Sequence, residues 1–319
     1  MDIVRVTLPT PLEIESVNCF LLDGDEITLV DAGVASDAAR KAFYEGLKER
    51  GYAVSAIDRI LLTHPHIDHF GLANHIKQES GAQVYAHEHA TDWLRDLGAY
   101  WKRERRHLVP CLRSMGVPPG RAESIMGTPE ETYGHLWESV EIDVEVSGGD
   151  ILEVGKELTV VETPGHCPAS VSFVDEDGSR AFVGDHIVEG FVPTPVMTLE
   201  PGTESRARSL PTWVETLTDF RTLDLEIAYA GHNEPVTNVR SRIEEMLEEF
   251  QSGADQTAEI VRGEGPLTAY QVHTKMYGSH PASESLPLLS FTAGHLDLLE
   301  SQGRVETRKK DGEWLYEHT

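Results

Sequence analysis

The segment LLTHPHIDHFGL, residues 61–72, sets three histidines and an aspartate within six positions. It grows directly out of Arg59-Ile60-Leu61-Leu62-Thr63, whose branched and apolar side chains read as a β-strand. That pairing constrains the fold strongly. The strand has to lie in a buried sheet, and its exit has to gather His64, His66, Asp68 and His69. A polar loop accounts for one histidine at such a place, not for H-x-H-x-D-H. His64 and His66 are two apart, so on an extended segment they point the same way. Asp68 and His69, past the turn, are left free to face elsewhere.

The rest of the chain supplies more exits of the same kind. Residues 3–8, 17–22, 27–33 and 82–87 read as strands, with helices at 36–50 and 70–79. Strands return at 151–153, 158–163, 170–174 and 180–184, and helices at 206–220 and 238–252 flank a strand at 226–230. This alternation gives a layered α/β body, with no internal repeat. His166 follows strand 158–163 in TPGHCPAS, Asp185 ends strand 180–184 in FVGDHIV, and His232 follows strand 226–230 in AYAGHNEP. Strand exits are where an α/β sheet collects its functional groups. Imidazoles and carboxylates in this combination suit Zn²⁺, Mn²⁺ or Fe.

The series H-x-H-x-D-H, then His166, Asp185 and His232, resembles the metallo-β-lactamase superfamily, and VNCFLL and LVDAG match its opening strands. The resemblance covers residues 1–252. It implies an αββα sandwich with a two-metal site at one edge of the sheets. His64, His66 and His166 would then hold one ion, Asp68, His69 and His232 the other, and Asp185 would bridge them. The expected cofactor is a pair of divalent ions, zinc first, with manganese or iron as alternatives. A hydroxide shared by the two ions is the expected nucleophile, with Asp68 orienting it and taking its proton. Asp31 is expected to orient the metal loops, and His186 to orient a ligand or serve a structural role. Cys167 reads as a small buried residue. True β-lactamases of the superfamily usually carry Cys where this chain has Asp185, and Asp there looks more like glyoxalase II, lactonases and nucleases. The expected activity is hydrolysis of a small anionic thioester or ester. The alternatives are a phosphodiesterase or endoribonuclease acting on single-stranded nucleic acid, a lactamase, and an iron-dependent sulfur dioxygenase.

Two segments stand apart. Residues 90–145 look mostly helical and include YWKRERRH at 100–107. Read as a lid over the metal edge, they would offer Tyr100, Trp101, Lys102, Arg105 and Arg106 to an anionic substrate. Residues 253–319 read as three helices and a hairpin about Asp311-Gly312, similar to the winged-helix domain appended to one branch of the superfamily. Its third helix has no basic residue between Ser285 and Gly303, and the wing has Arg304, Arg308, Lys309 and Lys310. Packing or homodimerisation is therefore expected ahead of nucleic-acid reading.

Composition bears on partners and compartment. The 319 residues hold 54 acidic and 27 basic side chains, a net charge of −27, with 19 Arg and 8 Lys. Such a surface disfavours phosphate backbones and suits a salt-rich, halophilic interior. Cys19, Cys111 and Cys167 form no CxxC pair, which fits a reducing cytoplasm. No apolar run approaches the roughly 18 residues of a membrane span, and MDIVRVTLPTP does not read as a signal peptide.

Overall fold

The computed structural model describes residues 2–127 and 133–319. Strands β1 (Asp2–Pro9), β2 (Ser16–Asp23), β3 (Ile27–Val30), β4 (Ile57–Leu61), β5 (Gln83–His87) and β6 (Val144–Val146) form one sheet in that order. β1 to β3 pair antiparallel, and β3 to β6 pair parallel. A second sheet holds β7 (Ile151–Glu153), β8 (Glu157–Glu162), β9 (Val171–Asp175), β10 (Arg180–Gly184) and β11 (Ile227–Ala230). Its strands are antiparallel except β11, which runs parallel to β10.

The alternation of strand side chains builds the layers. In β2, Phe20 and Leu22 point inward and meet Val160, Phe173 and Phe182 of the second sheet. Leu21 points outward, with Leu29, Ile60 and Val84, against the first helical layer. That layer contains α1 (Asp37–Glu49), α2 (Ile67–Phe70) and α3 (Ala73–Ser80). Ser36 caps α1 by accepting from the Ala39 amide, and Ala39, Phe43 and Leu47 form its buried stripe. α4 (Thr91–Arg95) adds Trp93 and Leu94 to the same core. Behind the second sheet lie α5 (Leu97–Ser114), α6 (Arg121–Ile125), α7 (Ser209–Phe220), α8 (Val239–Glu264), α9 (Ala269–Tyr277) and α10 (Ala282–Ser301). Leu108, Trp213, Phe250, Val272 and Leu296 from five of these helices share one cluster with Val183 and Ala230. The result is a helix–sheet–sheet–helix sandwich. Among the described residues no helix is long and apolar enough to cross a membrane.

Three sequence expectations change. Residues 238–252 and the helix expected after them are one helix, α8, which runs straight through position 252/253. Phe250, Ala254, Thr257, Ala258 and Val261 continue a single buried stripe, and nothing between them breaks it. Gly253 is needed there because a Cβ would lie 2.3 Å from the His295 ring of α10. The helical stretch expected over 90–145 ends in a strand, β6, whose three residues carry too little pattern to be read alone; residues 128–132 of that stretch lie outside the described residues. The helix expected from 70 to 79 is divided into α2 and α3 around Gly71 and Leu72. The hairpin forms as expected, β12 (Val305–Lys310) against β13 (Glu313–His318), with Asp311 and Gly312 at φ 51° and 91°.

The C-terminal helices are joined to the body by charge as well as by core. Arg206 holds Asp297 of α10 with two bonds, Nη1 to Oδ2 at 2.8 Å and Nη2 to Oδ1 at 2.7 Å, both groups largely buried. Asp297→Ala would leave the guanidinium buried without its partner. The expected loss is about 3–5 kcal/mol, seen in urea unfolding as one transition at a lower midpoint. An unchanged midpoint, or a separate early transition of the C-terminal helices, would contradict the shared core.

Candidate metal centre

Strand direction brings the polar exits together. β8 and β10 both run antiparallel to β9, and β11 follows β10, so the three end at the same edge of the second sheet. β3 and β4 end alongside one another in the first sheet. Backbone bonds tie the two edges: Val171 N–H donates to Thr63 O at 2.8 Å, and Asn18 N–H to Gly231 O at 2.7 Å. Across this seam the structure gathers three overlapping groups of donor atoms: His64, His66 and His166; His64, His69 and Asp185; Asp68, His69 and His232. Within each group the atoms lie within 4.8 Å of one another.

The carboxylate of Asp185 lies between the histidines. Its Oδ2 is 3.5 Å from His166 Nε2, and its Oδ1 is 3.4 Å from both His69 Nε2 and His232 Nε2. Asp68 Oδ2 is 3.4 Å from His232 Nε2 and 3.8 Å from His69 Nε2. His66 turns its Nδ1 inward, 3.1 Å from His64 Nε2 and 2.8 Å from His166 Nε2.

The outer ring nitrogens fix these orientations. His166 Nδ1–H donates to Thr194 O at 2.7 Å and His232 Nδ1–H to Ser16 O at 2.6 Å. Carbonyls only accept, so Nδ1 of each ring carries a proton and Nε2 is the atom turned inward. Asp31 anchors three more groups. It accepts from Thr63 N at 2.9 Å and Thr63 Oγ1 at 2.8 Å, and its Oδ2 is 2.8 Å from His69 Nδ1. Thr63 Oγ1, having given its proton to Asp31, receives the bond from His64 Nδ1 at 3.1 Å. Asp31 adopts φ 58°, a left-handed conformation that a non-glycine residue keeps only when its surroundings hold it.

The donor set fits divalent cations. His69 Nε2, His232 Nε2 and Asp185 Oδ1 are buried, converge on one another and have no hydrogen-bond partner. Buried polar atoms left so are costly, and a cation satisfies all three together. Burial pushes His64 and His166 below the ordinary imidazole range and His66 down to about 3, which keeps them neutral. At His69 and His232 burial acts in the same direction, but the surrounding carboxylates outweigh it: His69 is held well above its ordinary value and His232 is raised to about 10. Burial would raise the carboxyls, yet the nearby imidazoles hold Asp68 at about 2 and Asp185 well below the usual range. A pocket so rich in anionic charge favours a cation.

Other singled-out residues lie elsewhere. His186 is turned into the helical layer, where Trp213 Nε1–H donates to its Nδ1 at 3.1 Å and Phe220 meets its ring edge-on. Cys167 is buried, as expected. The basic run does not form a grip on the metal edge. α5 turns Leu97, Glu104, Leu108 and Leu112 inward, and Glu104 is held by Thr198 Oγ1 at 2.8 Å and the Leu199 amide at 2.9 Å. That buried carboxylate sets the rotation of the helix. Lys102 and Arg106 are consequently exposed, Trp101 bonds to Gly127 O, and neither these nor Arg105 line the cavity at the donors. Tyr100 stacks on Trp93 with ring centres 4.5 Å apart, and it is Trp93 that lies against His66, at 5.3 Å.

Sequence reasoning missed Thr63, Asn18 and Gly231. Asn18 was visible as one polar side chain within the apolar VNCFLL; its Nδ2 donates to Ala230 O and Asn233 O, pinning the His232 turn. Gly231 is required by crowding, since a Cβ there would lie 2.5 Å from His69 Cε1 and 2.7 Å from Asp185 Oδ1. Gly231→Ala should keep the far-ultraviolet dichroism of the parent and lose metal on dialysis, its affinity falling about 10- to 100-fold as for other disturbed ligand supports. Asp185→Ala should retain less metal still. Full metal content in both variants, measured by elemental analysis, would contradict the assignment.

Comparison with known proteins agrees with this geometry. The family model described as the metallo-beta-lactamase superfamily matches residues 12–232. A probable metallo-hydrolase of Bacillus subtilis, YqjP, is 28% identical over 319 residues, covering 99% of this chain and 97% of that protein. A hydroxyacylglutathione hydrolase of Cereibacter sphaeroides is 27% identical over 184 residues, 56% of this chain and 53% of its own length. The solved structure of a metallo-beta-lactamase family protein from Thermus thermophilus superposes with a TM-score of 0.81 at 26% identity, over 99% of this chain and 98% of that one. With the family model spanning more than half of its length and the donor residues gathered at one sheet edge, the chain belongs to the metallo-beta-lactamase superfamily and is a metallo-hydrolase of it.

Proposed function

We propose that this chain hydrolyses a small-molecule ester or thioester at a centre of two divalent cations, zinc ahead of manganese or iron. The observation that carries the reading is Asp185, one carboxylate whose two oxygens face His166 on one side and His69 and His232 on the other. Two bound cations supply a water nucleophile of lowered pKa and polarise the carbonyl under attack. The protein's own part is positional. His64, His66 and His166 hold one place, Asp68, His69 and His232 the other, and Asp31 keeps His69 and His64 in register through Thr63. Asp68 is the more exposed of the two carboxylates, 13% against 5% for Asp185, and is held ionised, so it is the group placed to orient the attacking water and accept its proton. The relative named a hydroxyacylglutathione hydrolase supports a thioester. A nucleic-acid backbone is tracked by Lys and Arg along its path, and the described lining of the cavity at the donors has neither. Three free cysteines and the acidic surplus support a reducing, salt-rich cytoplasm. In this reading the winged-helix-like C-terminal segment packs on the body and reads no nucleic acid.

A substrate panel tests the proposal: a thioester, a simple ester, a lactone, a β-lactam, a bis-phosphate ester and labelled RNA, each with zinc, manganese or iron. Thioester or ester turnover should lead. Asp68→Asn should lower kcat by about 10²–10⁴-fold, the range for a lost general base. Fastest turnover of the bis-phosphate ester or of RNA would replace this reading with a nuclease.

A further inference from the structure

A cavity of about 370 Å³ opens on His66, His166 and Asp185. Its walls come from three distant parts of the chain: Ile14 between β1 and β2, Phe191, Val192 and Val196 between β10 and α7, and Leu286 and Pro287 of α10. Apart from the metal donors, the described residues lining it include one ionisable side chain, Glu13, an exposed carboxylate. The hydroxyl of Ser290, also in the wall, is already engaged: it donates to Leu286 O at 2.8 Å and accepts from Met197 N at 3.2 Å. α10 is held in place by the Arg206–Asp297 pair and by the shared core, so this wall is built before any substrate arrives.

Resting on the hydrolase reading above, we infer that this groove is an acyl-chain subsite, and that the substrate is an ester or thioester of a neutral, apolar carboxylic acid. Apolar chain placed against Phe191, Val192 and Leu286 leaves water without giving up a hydrogen bond. An anionic chain end carried past the metal donors, along Phe191, Val192 and Leu286, would lose hydration with no Lys or Arg among the described lining to replace it. The expected anionic substrate is thereby replaced by a neutral one. In the reaction the water oxygen bonds to the acyl carbon, the C–S or C–O bond breaks, and the thiol or alcohol leaves carrying a proton. The fatty acid is left in the groove, and the leaving group faces solvent. The C-terminal segment then has a defined part in specificity: α10 forms one side of the acyl site.

The test is a series of straight-chain acyl thioesters, acetyl to octanoyl, with a succinyl thioester beside the butyryl one, using zinc-loaded protein. kcat/KM should rise about fourfold per added methylene until the groove is filled, and succinyl should be at least about tenfold poorer than butyryl. Leu286→Arg should flatten the length dependence and narrow the succinyl gap; Val192→Arg, in another part of the lining, serves if that variant does not fold. In parallel, calorimetry on the metal-free protein should show binding that tightens from butyramide to octanamide and weakens in Leu286→Arg. A flat series with good turnover, a preference for succinyl, or amide binding indifferent to length would overturn the inference and leave the hydrolase reading standing. No turnover of any thioester or ester would remove the hydrolase reading instead, and the amide series would then judge the groove alone.

Discussion

Seven histidine and aspartate side chains have to be held a few ångströms apart, largely out of water, with three inward atoms, His69 Nε2, His232 Nε2 and Asp185 Oδ1, left without a hydrogen-bond partner. Everything else in the molecule follows from that constraint. Burying such groups singly costs several kcal/mol, so the surrounding structure must be rigid and must leave each group only one orientation. The two-sheet core does the first. The second is done by hydrogen bonds behind the donors: Ser16 O and Thr194 O fix two rings, and Asp31 with Thr63 fixes two more. Asp31 keeps a left-handed backbone, φ 58°, while it makes three bonds to Thr63 and His69.

Much of this was legible in the sequence because it is local. H-x-H-x-D-H, GHC, GDH and GHN each stand at the end of a readable strand, and the direction of a strand decides where its exit lies. The D-G hairpin was legible for the same reason. The parts that were not legible depend on distant partners. Thr63 matters because Asp31 lies 32 residues back, and Asn18 because the His232 turn comes more than 200 residues later. Glu104 shows the same limit from the other side. In YWKRERRH it looks like one more surface charge, yet Thr198 and Leu199 satisfy it inside the protein, and that turns the basic residues outward. The long helix α8 was divided in the reading at 252/253, whereas one buried stripe runs through that point and the ring of His295 is what requires Gly253.

The C-terminal segment changes meaning once its packing is seen. Its helices add to the core behind the second sheet, and α10 reaches the donor cluster with Leu286 and Pro287. Its element order resembles a nucleic-acid-binding module, and its contacts are those of a segment packed into the core of the body.

The central claim is that one cluster of donors holds two cations with Asp185 between them. Anomalous diffraction from crystals of zinc-loaded protein, recorded on both sides of the zinc edge, tests it most directly. The account predicts two peaks per chain roughly 3.5–4 Å apart, one beside His64, His66 and His166, the other beside Asp68, His69 and His232. A single peak at saturating zinc, or two peaks that leave Asp185 uncoordinated, would contradict it.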